Sequence, residues 1–255
     1  MNDIGVIVLA AGQGTRMKSD IPKVLHHLGG TPLFLHVLRA AQQLEPARIA
    51  VIVGHGAGAV QQVYSAGNLC WAIQEKQLGT AHAVLCAEPT FHGFTGDILI
   101  LSGDVPLIRQ KTLKRLVDQH HRQQAAVTLL TANLEDPKGY GRILRDDKQH
   151  IACIVEEKDA SDLQRQLREV NAGIYVVAAP FLFPALSGVN NRNLQREYYL
   201  PDIVAIALRE GKTVANLQVD DAREMMGINT REELARMEKS LQEEINRKWM
   251  AQGVT

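Results

Sequence analysis

Short apolar runs and amphipathic patterns alternate along the first half of the chain. Residues 4–10 form a continuous apolar run rich in β-branched side chains, which is typical of a strand buried on both faces of a parallel sheet. The first helix is expected to open with Thr31 as its cap and Pro32 at its first position. Strands that alternate with helices predict an α/β fold with a mainly parallel sheet. Beyond the first run, we predict strands at 48–53, 97–101 and 126–131 and helices at 31–44, 57–66 and 111–123.

The second half of the chain has a different texture, with strand-like segments and fewer helices between them. Strands are predicted at 142–144, 151–156 and 170–177. No Ser-, Gly- or Pro-rich linker interrupts this region. We therefore interpret it as a substrate-binding extension of the same sheet.

The C-terminal segment predicts one long helix. Thr230 and Glu233 form the sequence pattern of a capping box, which marks a helix start. We place a boundary between a catalytic domain at 1–228 and a helical arm at 229–255. The apolar stripe of this helix packs either on its own domain or on a partner or following domain. It consists of Leu234, Met237, Leu241, Ile245 and Trp249.

Composition narrows the class of protein. The 255 residues are 45% apolar and 22% charged with a formal net charge of zero, which argues against a nucleic-acid or membrane binder. Cys70, Cys86 and Cys153 are scattered along the chain, and we interpret them as reduced residues of a cytoplasmic protein. The first apolar run lacks the basic flank of a signal peptide and is too short to span a membrane.

A glycine-containing loop follows the first predicted strand. Gly12 and Gly14 would let backbone N–H groups approach phosphate oxygens, while Arg16 and Lys23 supply positive charge. Ligands of open α/β sheets bind at the carboxyl ends of strands, where this loop lies. Met17 breaks both the dinucleotide-binding fingerprint and the P-loop pattern. The alternative is an ordinary turn that needs glycines.

Two further motifs indicate a metal-binding site and a nucleobase-binding site. Ser102, Gly103 and Asp104 follow a buried strand, and a carboxylate there suits Mg²⁺ beside phosphates, unless it is only a turn residue. The amides of Gln74 and Gln77 could read a uracil edge, unless they are surface residues. A helix that starts at Gly79 and Thr80 could bring backbone N–H groups to the same ligand, so we group these two residues with the glutamines.

Polar residues in the second half of the chain have the chemistry needed to bind a sugar. Glu156 and Asn171 lie at or near strand ends, where planar polar groups can hydrogen-bond sugar hydroxyls. Gly141 follows a Gly-Tyr pair, and Asn229 precedes the C-terminal helix and could offer a neutral oxygen to a metal.

Taken in order, these motifs resemble the sugar-nucleotide pyrophosphorylase family of nucleotidyltransferases. The stretch from Leu9 to Leu25 matches the family loop L-A-A-G-x-G-T-R-M followed by P-K-V-L. More narrowly, the chain resembles the uridylyltransferase part of the bifunctional bacterial enzymes that make UDP-N-acetylglucosamine. The narrower matches are Gln74, 77–83, 103–107, 139–143, 155–156, 158–160, Asn171, 197–199 and 227–229.

The resemblance implies a fold, a reaction and a set of roles. The fold is Rossmann-like, a mainly parallel twisted sheet of the nucleotide-diphospho-sugar transferase type with a long C-terminal helix. The reaction joins UTP to N-acetyl-α-D-glucosamine 1-phosphate by Mg²⁺-assisted in-line displacement, which releases pyrophosphate and supplies cell-envelope synthesis. The resemblance assigns catalytic roles to Arg16, Lys23 and Asp104, and it assigns Mg²⁺ binding to Asp104 and Asn229. The nucleotide would contact Leu9, Ala10, Ala11, Gly12, Gly14, Lys23, Gln74, Gln77, Gly79 and Thr80, and the sugar phosphate Ser102, Gly103, Asp104, Gly141, Glu156, Asn171 and Asn229.

Some positions depart from the family pattern. Ala172 and Pro201 stand where Thr is common, and Thr230 replaces a frequent Asn or Asp, which leaves the sugar selectivity open. The resembling enzymes continue into a β-helix with acetyltransferase activity, which carries their trimer. We therefore expect this chain to be a monomer without that activity, and a trimer if a β-helix follows. The alternatives are a transferase for another sugar phosphate or nucleotide, a non-catalytic nucleotide-binding module and a structural interaction protein.

Overall fold

The computed structural model describes residues 3–64 and 69–254. Its strands are β1 (Ile4–Ala10), β2 (His27–Leu28), β3 (Thr31–Pro32), β4 (Arg48–Val53), β5 (Leu69–Ile73), β6 (Asp97–Ser102), β7 (Val127–Asn133), β8 (Arg142–Arg145), β9 (Ile151–Val155), β10 (Glu169–Ala178) and β11 (Val214–Gln218). Its α-helices are α1 (Leu33–Gln42), α2 (Ala57–Val63), α3 (Thr80–Leu85), α4 (Gln110–Gln123), α5 (Asp162–Arg165), α6 (Ala179–Ser187), α7 (Asp202–Arg209) and α8 (Arg231–Ala251).

The central sheet has the strand order β11-β7-β10-β6-β1-β4-β5. Strand β1 pairs in parallel with β4 and β6, and β4 pairs in parallel with β5. Strand β10 runs antiparallel to both of its neighbours, β6 and β7. Strands β8 and β9 join the same sheet through a short pairing of β8 with β10. The sheet is therefore mainly parallel, as the sequence pattern predicted, and its mixed character, which the pattern did not predict, comes from the antiparallel strand β10.

Two apolar layers cover the faces of the sheet. In β1, Val6 and Val8 belong to the layer on one face, while Ile7 belongs to the layer on the other. Helices α1 and α4 supply the first layer, and α3, α6 and α7 supply the second. A strand buried on both faces must be apolar throughout, which explains the unbroken run of β1.

Most predicted elements are confirmed within one or two residues, but the start of the first helix is wrong. Thr31 and Pro32 form β3, which pairs with β2 in a small hairpin. Helix α1 begins at Leu33, and its first residue donates its N–H to the His26 carbonyl at 2.9 Å. Neither a Thr31 cap nor a helical Pro32 is present, because the hairpin keeps this dipeptide extended. Helix α2 ends at Val63, and Ala66, its predicted end, lies outside the described residues.

The C-terminal helix is present and opens with the predicted capping box at Thr230 and Glu233. A small apolar cluster fixes its first half to the β2–β3 hairpin. Its far half is exposed, since Trp249 keeps 55% of its surface. The stripe thus packs on its own domain over its N-terminal part, and the division at residues 228 and 229 stays a prediction. Within the described residues, no helix has both the length and the apolar character needed to cross a membrane.

Candidate active site

The carboxyl ends of β1 and β6 meet at one edge of the sheet. The Gly103 N–H donates to the Leu9 carbonyl at 2.8 Å, which joins the loop after β6 to the end of β1. Gly14 has a φ of 64°, and a Cβ there would lie 2.5 Å from the Lys23 Cβ. The glycine therefore lets the loop fold tightly over Lys23, so its role here is conformational.

Lys23, Asp104 and Asn229 form the electrostatic centre of this edge. The Lys23 ammonium forms an ion pair with the Asp104 carboxylate and donates to Asn229 Oδ1 at 3.0 Å. The side chains of Lys23 and Asp104 are 14% and 17% exposed. A carboxylate oxygen and an amide oxygen, 125 positions apart in sequence, thus converge on one positive charge.

Backbone contacts explain why Asn229 reaches this place. The Ile228 N–H donates to the Asp104 carbonyl at 2.9 Å. The Asn229 N–H donates to Glu233 Oε2 at 2.6 Å. The segment before α8 is therefore anchored at both ends, to the loop after β6 and to its own helix.

A smaller cleft of about 230 Å³ lies on one side of this centre. The Gln77 amide donates to the Ala11 carbonyl at 2.8 Å, and the Gln74 amide donates to the Gly79 carbonyl at 3.0 Å. Gln74 is only 4% exposed, which excludes the alternative that it is an ordinary surface residue. The predicted nucleotide residues that line this cleft are Leu9, Ala11, Gly12, Lys23, Gln74, Gln77, Gly79 and Thr80.

Gly79 closes the far wall of the smaller cleft. It has a φ of 117°, and a Cβ there would lie 2.4 Å from the Tyr198 carbonyl oxygen. Thr80 Oγ1 accepts from the Leu200 N–H at 2.9 Å. These contacts hold the 197–200 segment against the cleft, where Glu197 becomes a wall residue.

A larger cleft of about 580 Å³ lies on the other side of the centre. Strand β10 has a bulge between Asn171 and Tyr175, which turns this part of the strand beside the cleft. Asn171 Oδ1 accepts from the Gly173 N–H at 3.1 Å, and its amide donates to the Tyr175 hydroxyl at 2.6 Å. The predicted residues that line this cleft are Arg16, Ser102, Asp104, Gly141, Glu156, Asn171 and Asn229.

Glu156 has an unusual electrostatic environment. Burial, followed by the charges of Asp159, Asp202 and Glu197, raises the pKa of the Glu156 carboxyl to about 7, although Arg142 opposes this shift. A Cβ on Gly141 would lie 3.0 Å from Glu156 Oε1, which explains the glycine beside it. The larger cleft therefore offers a carboxyl group that can donate or accept a hydrogen bond near neutral pH.

The two clefts share Ser102 and Asp104. Three predicted binding residues lie outside both linings: Ala10 is buried in β1, and Gly14 and Gly103 shape the loops. Among the other wall residues, Tyr140 and Glu197 lie in segments that the motifs matched but had no role assigned to them, and sequence reasoning gave Glu233 and Arg236 no place in the site. For Glu233, the signal was present but was read only as a helix cap.

The residues at the centre fit a divalent cation that is completed by substrate. Among the described residues, no group of three or more His, Cys, Asp or Glu side chains comes together to hold a metal. Asp104 and Asn229 nevertheless direct one oxygen each at the Lys23 ammonium, so the two oxygens lie close enough together to face one cation. Mg²⁺ commonly takes one or two protein oxygens and completes its coordination with water and phosphate.

Comparisons with known proteins agree with this geometry. Residues 6–191 match the model of the MobA-like NTP transferase domain. The chain belongs to this family, and it is a nucleotidyltransferase. It is 46% identical over 256 residues to the bifunctional protein GlmU of Pelobacter propionicus, and 48% identical over 252 residues to that of Pseudomonas syringae pv. syringae. These alignments cover 100% and 99% of this chain and 56% and 54% of the relatives.

The chain thus spans about half the length of the curated relatives it matches. The resemblance to the bifunctional bacterial enzymes that was read from the motifs is confirmed. A solved structure of UDP-glucose pyrophosphorylase complexed with UDP-glucose is similar in fold, with a TM-score of 0.76 at 15% identity. The likeness covers 96% of this chain and 100% of that one. At this identity it confirms the predicted fold and nothing finer.

Proposed function

We propose that this nucleotidyltransferase joins UTP to N-acetyl-α-D-glucosamine 1-phosphate, giving UDP-N-acetylglucosamine and pyrophosphate. One observation carries the proposal: two clefts meet at Ser102 and Asp104, and apart from these two residues the lining residues predicted for the nucleotide and for the sugar lie in different clefts. The smaller cleft would hold the uridine nucleotide, and the larger one the sugar phosphate. Motifs shared with the bifunctional bacterial enzymes favour this pair of substrates, and a role in cell-envelope precursor synthesis follows from it.

The chemistry needs alignment and charge neutralisation rather than a nucleophilic side chain. The second pKa of a sugar phosphate is about 6, so its oxygen is mostly ionised at neutral pH. That oxygen attacks the α-phosphorus of UTP; a new P–O bond forms as the bond to pyrophosphate breaks. The chain must place the two groups in line and neutralise the charge on the leaving pyrophosphate.

Two cationic side chains are placed for this task. Arg16 lines the larger cleft, and Lys23 lines the smaller one while contacting Asp104. A bound Mg²⁺, held by Asp104 and Asn229, would supply further positive charge to the phosphates. Lys23 itself would donate hydrogen bonds to phosphate oxygens of the bound nucleotide.

Substrate-specific losses would test the division of the site. Gln74→Ala should raise the KM for UTP and reduce the preference for UTP over CTP, because the uracil edge loses a buried amide. Glu156→Ala and Asn171→Ala should raise the KM for the sugar phosphate and leave the KM for UTP nearly unchanged. Gln123→Ala, an exposed position at the end of α4, is the matched control and should behave as wild type.

Equal losses for both substrates in all three variants would refute the two-cleft assignment. A preference for CTP, or for another sugar phosphate, would retain the reaction type and correct the substrate. Failure to turn over any nucleotide, with retained UTP binding, would favour a non-catalytic binding module. The cytoplasmic location and the monomeric state remain predictions.

A further inference from the structure

The start of α8 contacts the site at several points, although it is more than 120 residues from Asp104 in sequence. Ile228 contacts the Asp104 backbone, and Asn229 contacts Lys23. The Arg231 guanidinium donates to the Met17 carbonyl at 2.9 Å, which fastens the helix to the loop after β1. Small changes at this helix start would therefore move site atoms directly.

Glu233 lies at the middle of these contacts. Its Oε2 accepts from the Thr230 N–H at 3.1 Å, which is the ordinary capping-box bond. The same oxygen accepts from the Asn229 N–H at a shorter distance, 2.6 Å. The second bond is not needed to cap the helix, and it holds the residue whose side chain faces the Asp104 centre.

Glu233 places a negative charge in a cleft that we expect to bind an anion. Glu233 lines the larger cleft, where we expect a sugar phosphate. Burial raises the pKa of the Tyr140 hydroxyl; a hydrogen bond with the Gly227 backbone opposes this shift, and the charges of Glu233 and Asp104 add to it. A carboxylate repels a phosphate, and the two backbone N–H groups at the helix start offset that cost locally.

We propose that Glu233 is a positioning residue that fixes the Asn229 backbone, so that Asn229 Oδ1 and the Asp104 carboxylate meet the same cation. The inference rests on the proposed function for the identity of that cation. Groups that orient metal ligands commonly change metal affinity 10–100-fold when they are removed. Because the ligand here is a neutral oxygen, we expect a change near the lower end of that range.

The test measures Mn²⁺ binding in the presence of UTP, without sugar phosphate, by electron paramagnetic resonance. Glu233→Ala should weaken Mn²⁺ binding about 10-fold, because Asn229 loses its backbone anchor. Glu233→Gln should stay within about twofold of wild type, since Gln also serves in capping boxes. Glu233→Asp, a folded alternative if the Ala variant is unstable, should weaken binding because its carboxylate is one methylene shorter.

Two control variants separate positioning from general helix stability. Thr230→Ala removes the other half of the capping box, the bond from the Glu233 N–H at 3.1 Å, but leaves the Asn229 contact in place. Glu238→Ala removes another backbone anchor of α8, the bond from the Gly29 N–H at 2.8 Å. Both should lower the melting temperature and leave Mn²⁺ binding within about twofold.

The outcomes distinguish this inference from the proposed function. If wild type binds Mn²⁺ with UTP and the Ala and Asp variants at Glu233 bind it equally well, the inference is overturned. Equal weakening by Thr230→Ala would overturn it as well, since helix capping alone would then explain the effect. If wild type itself binds no Mn²⁺ with UTP, the metal part of the proposed function fails, and the inference fails with it.

Discussion

Replacing Glu156 with Gln should stabilise the protein at high pH and should not do so in acid. The carboxyl is half-buried beside the larger cleft, among Asp159, Asp202 and Glu197. Burial and these charges raise its pKa from 4.5 to about 7. The charged form is therefore disfavoured in the folded chain, and an isosteric neutral amide removes that penalty.

The magnitude follows from the difference between the two pKa values. Below about pH 4, the carboxyl is protonated in both the folded and unfolded states, so it contributes no pH dependence. As the pH rises from 4.5 to 7, the unfolded chain ionises first, and folding loses free energy. At 1.36 kcal/mol per pH unit, the loss reaches roughly 3 kcal/mol above pH 7, an upper limit because one side of the carboxyl faces the open cleft.

Urea unfolding of wild type and Glu156→Gln at pH 4, 6 and 8 would measure this difference. The advantage of the Gln variant should grow by about 2–3 kcal/mol between pH 4 and pH 8. Glu243→Gln, an exposed position on α8, is the matched control and should show no such trend. A constant difference at all three pH values, or an advantage in acid, would refute the reasoning.

Three other perturbations test separate parts of the account. Asp104→Ala should lower the initial rate by roughly 10²–10³ with little change in unfolding free energy, because one charge-stabilising group is lost; near-full activity would contradict the assignment. Burial alone would raise the pKa of Asp97, but hydrogen bonds and charge from His120 and His121 lower it. Asp97→Asn should therefore destabilise the fold at neutral pH. In urea unfolding, this loss of stability should shrink as the pH falls through the lowered pKa of Asp97. Leu182→Ala, in the fully buried layer of α6, should cost about 2–5 kcal/mol in the same unfolding assay without changing either KM, and a large KM change would argue against a purely packing role.

The buried centre of the fold was predictable because its strands are apolar on both faces. Strands β1, β4 and β6 have continuous apolar runs that can be recognised from sequence alone. Strands β5 and β11 were missed because they lie at the sheet edges and are only partly buried. Helix α6 was missed for the opposite reason, since it is apolar on nearly every side and shows no amphipathic period.

The site was predictable where short motifs follow strands. The loop after β1 and the Asp104 turn lie where the rule for parallel sheets places ligands. The rest depends on long-range contacts that a local pattern does not encode. The Tyr175 bond to Asn171 arises from a bulge in β10, and the Glu233 bond to Asn229 arises from how α8 docks.

Long-range pairing also explains why Thr31 and Pro32 form a strand instead of the start of the first helix. Thr-Pro is a favourable helix opening, yet the hairpin with β2 offers this dipeptide partners that keep it extended. The local preference was real, but tertiary pairing decided the outcome.

Pyrophosphate release by the wild-type chain tests the central claim most directly. The claim is that UTP and a sugar phosphate bind in adjoining clefts and react at a cation held by Asp104 and Asn229. The assay compares UTP alone, UTP with N-acetylglucosamine 1-phosphate, and the same pair after Mg²⁺ is removed by a chelator. We predict release only when both substrates and Mg²⁺ are present, in equal amount to the UDP-N-acetylglucosamine formed. Release from UTP without the sugar phosphate, or no release in the complete mixture, would contradict the account.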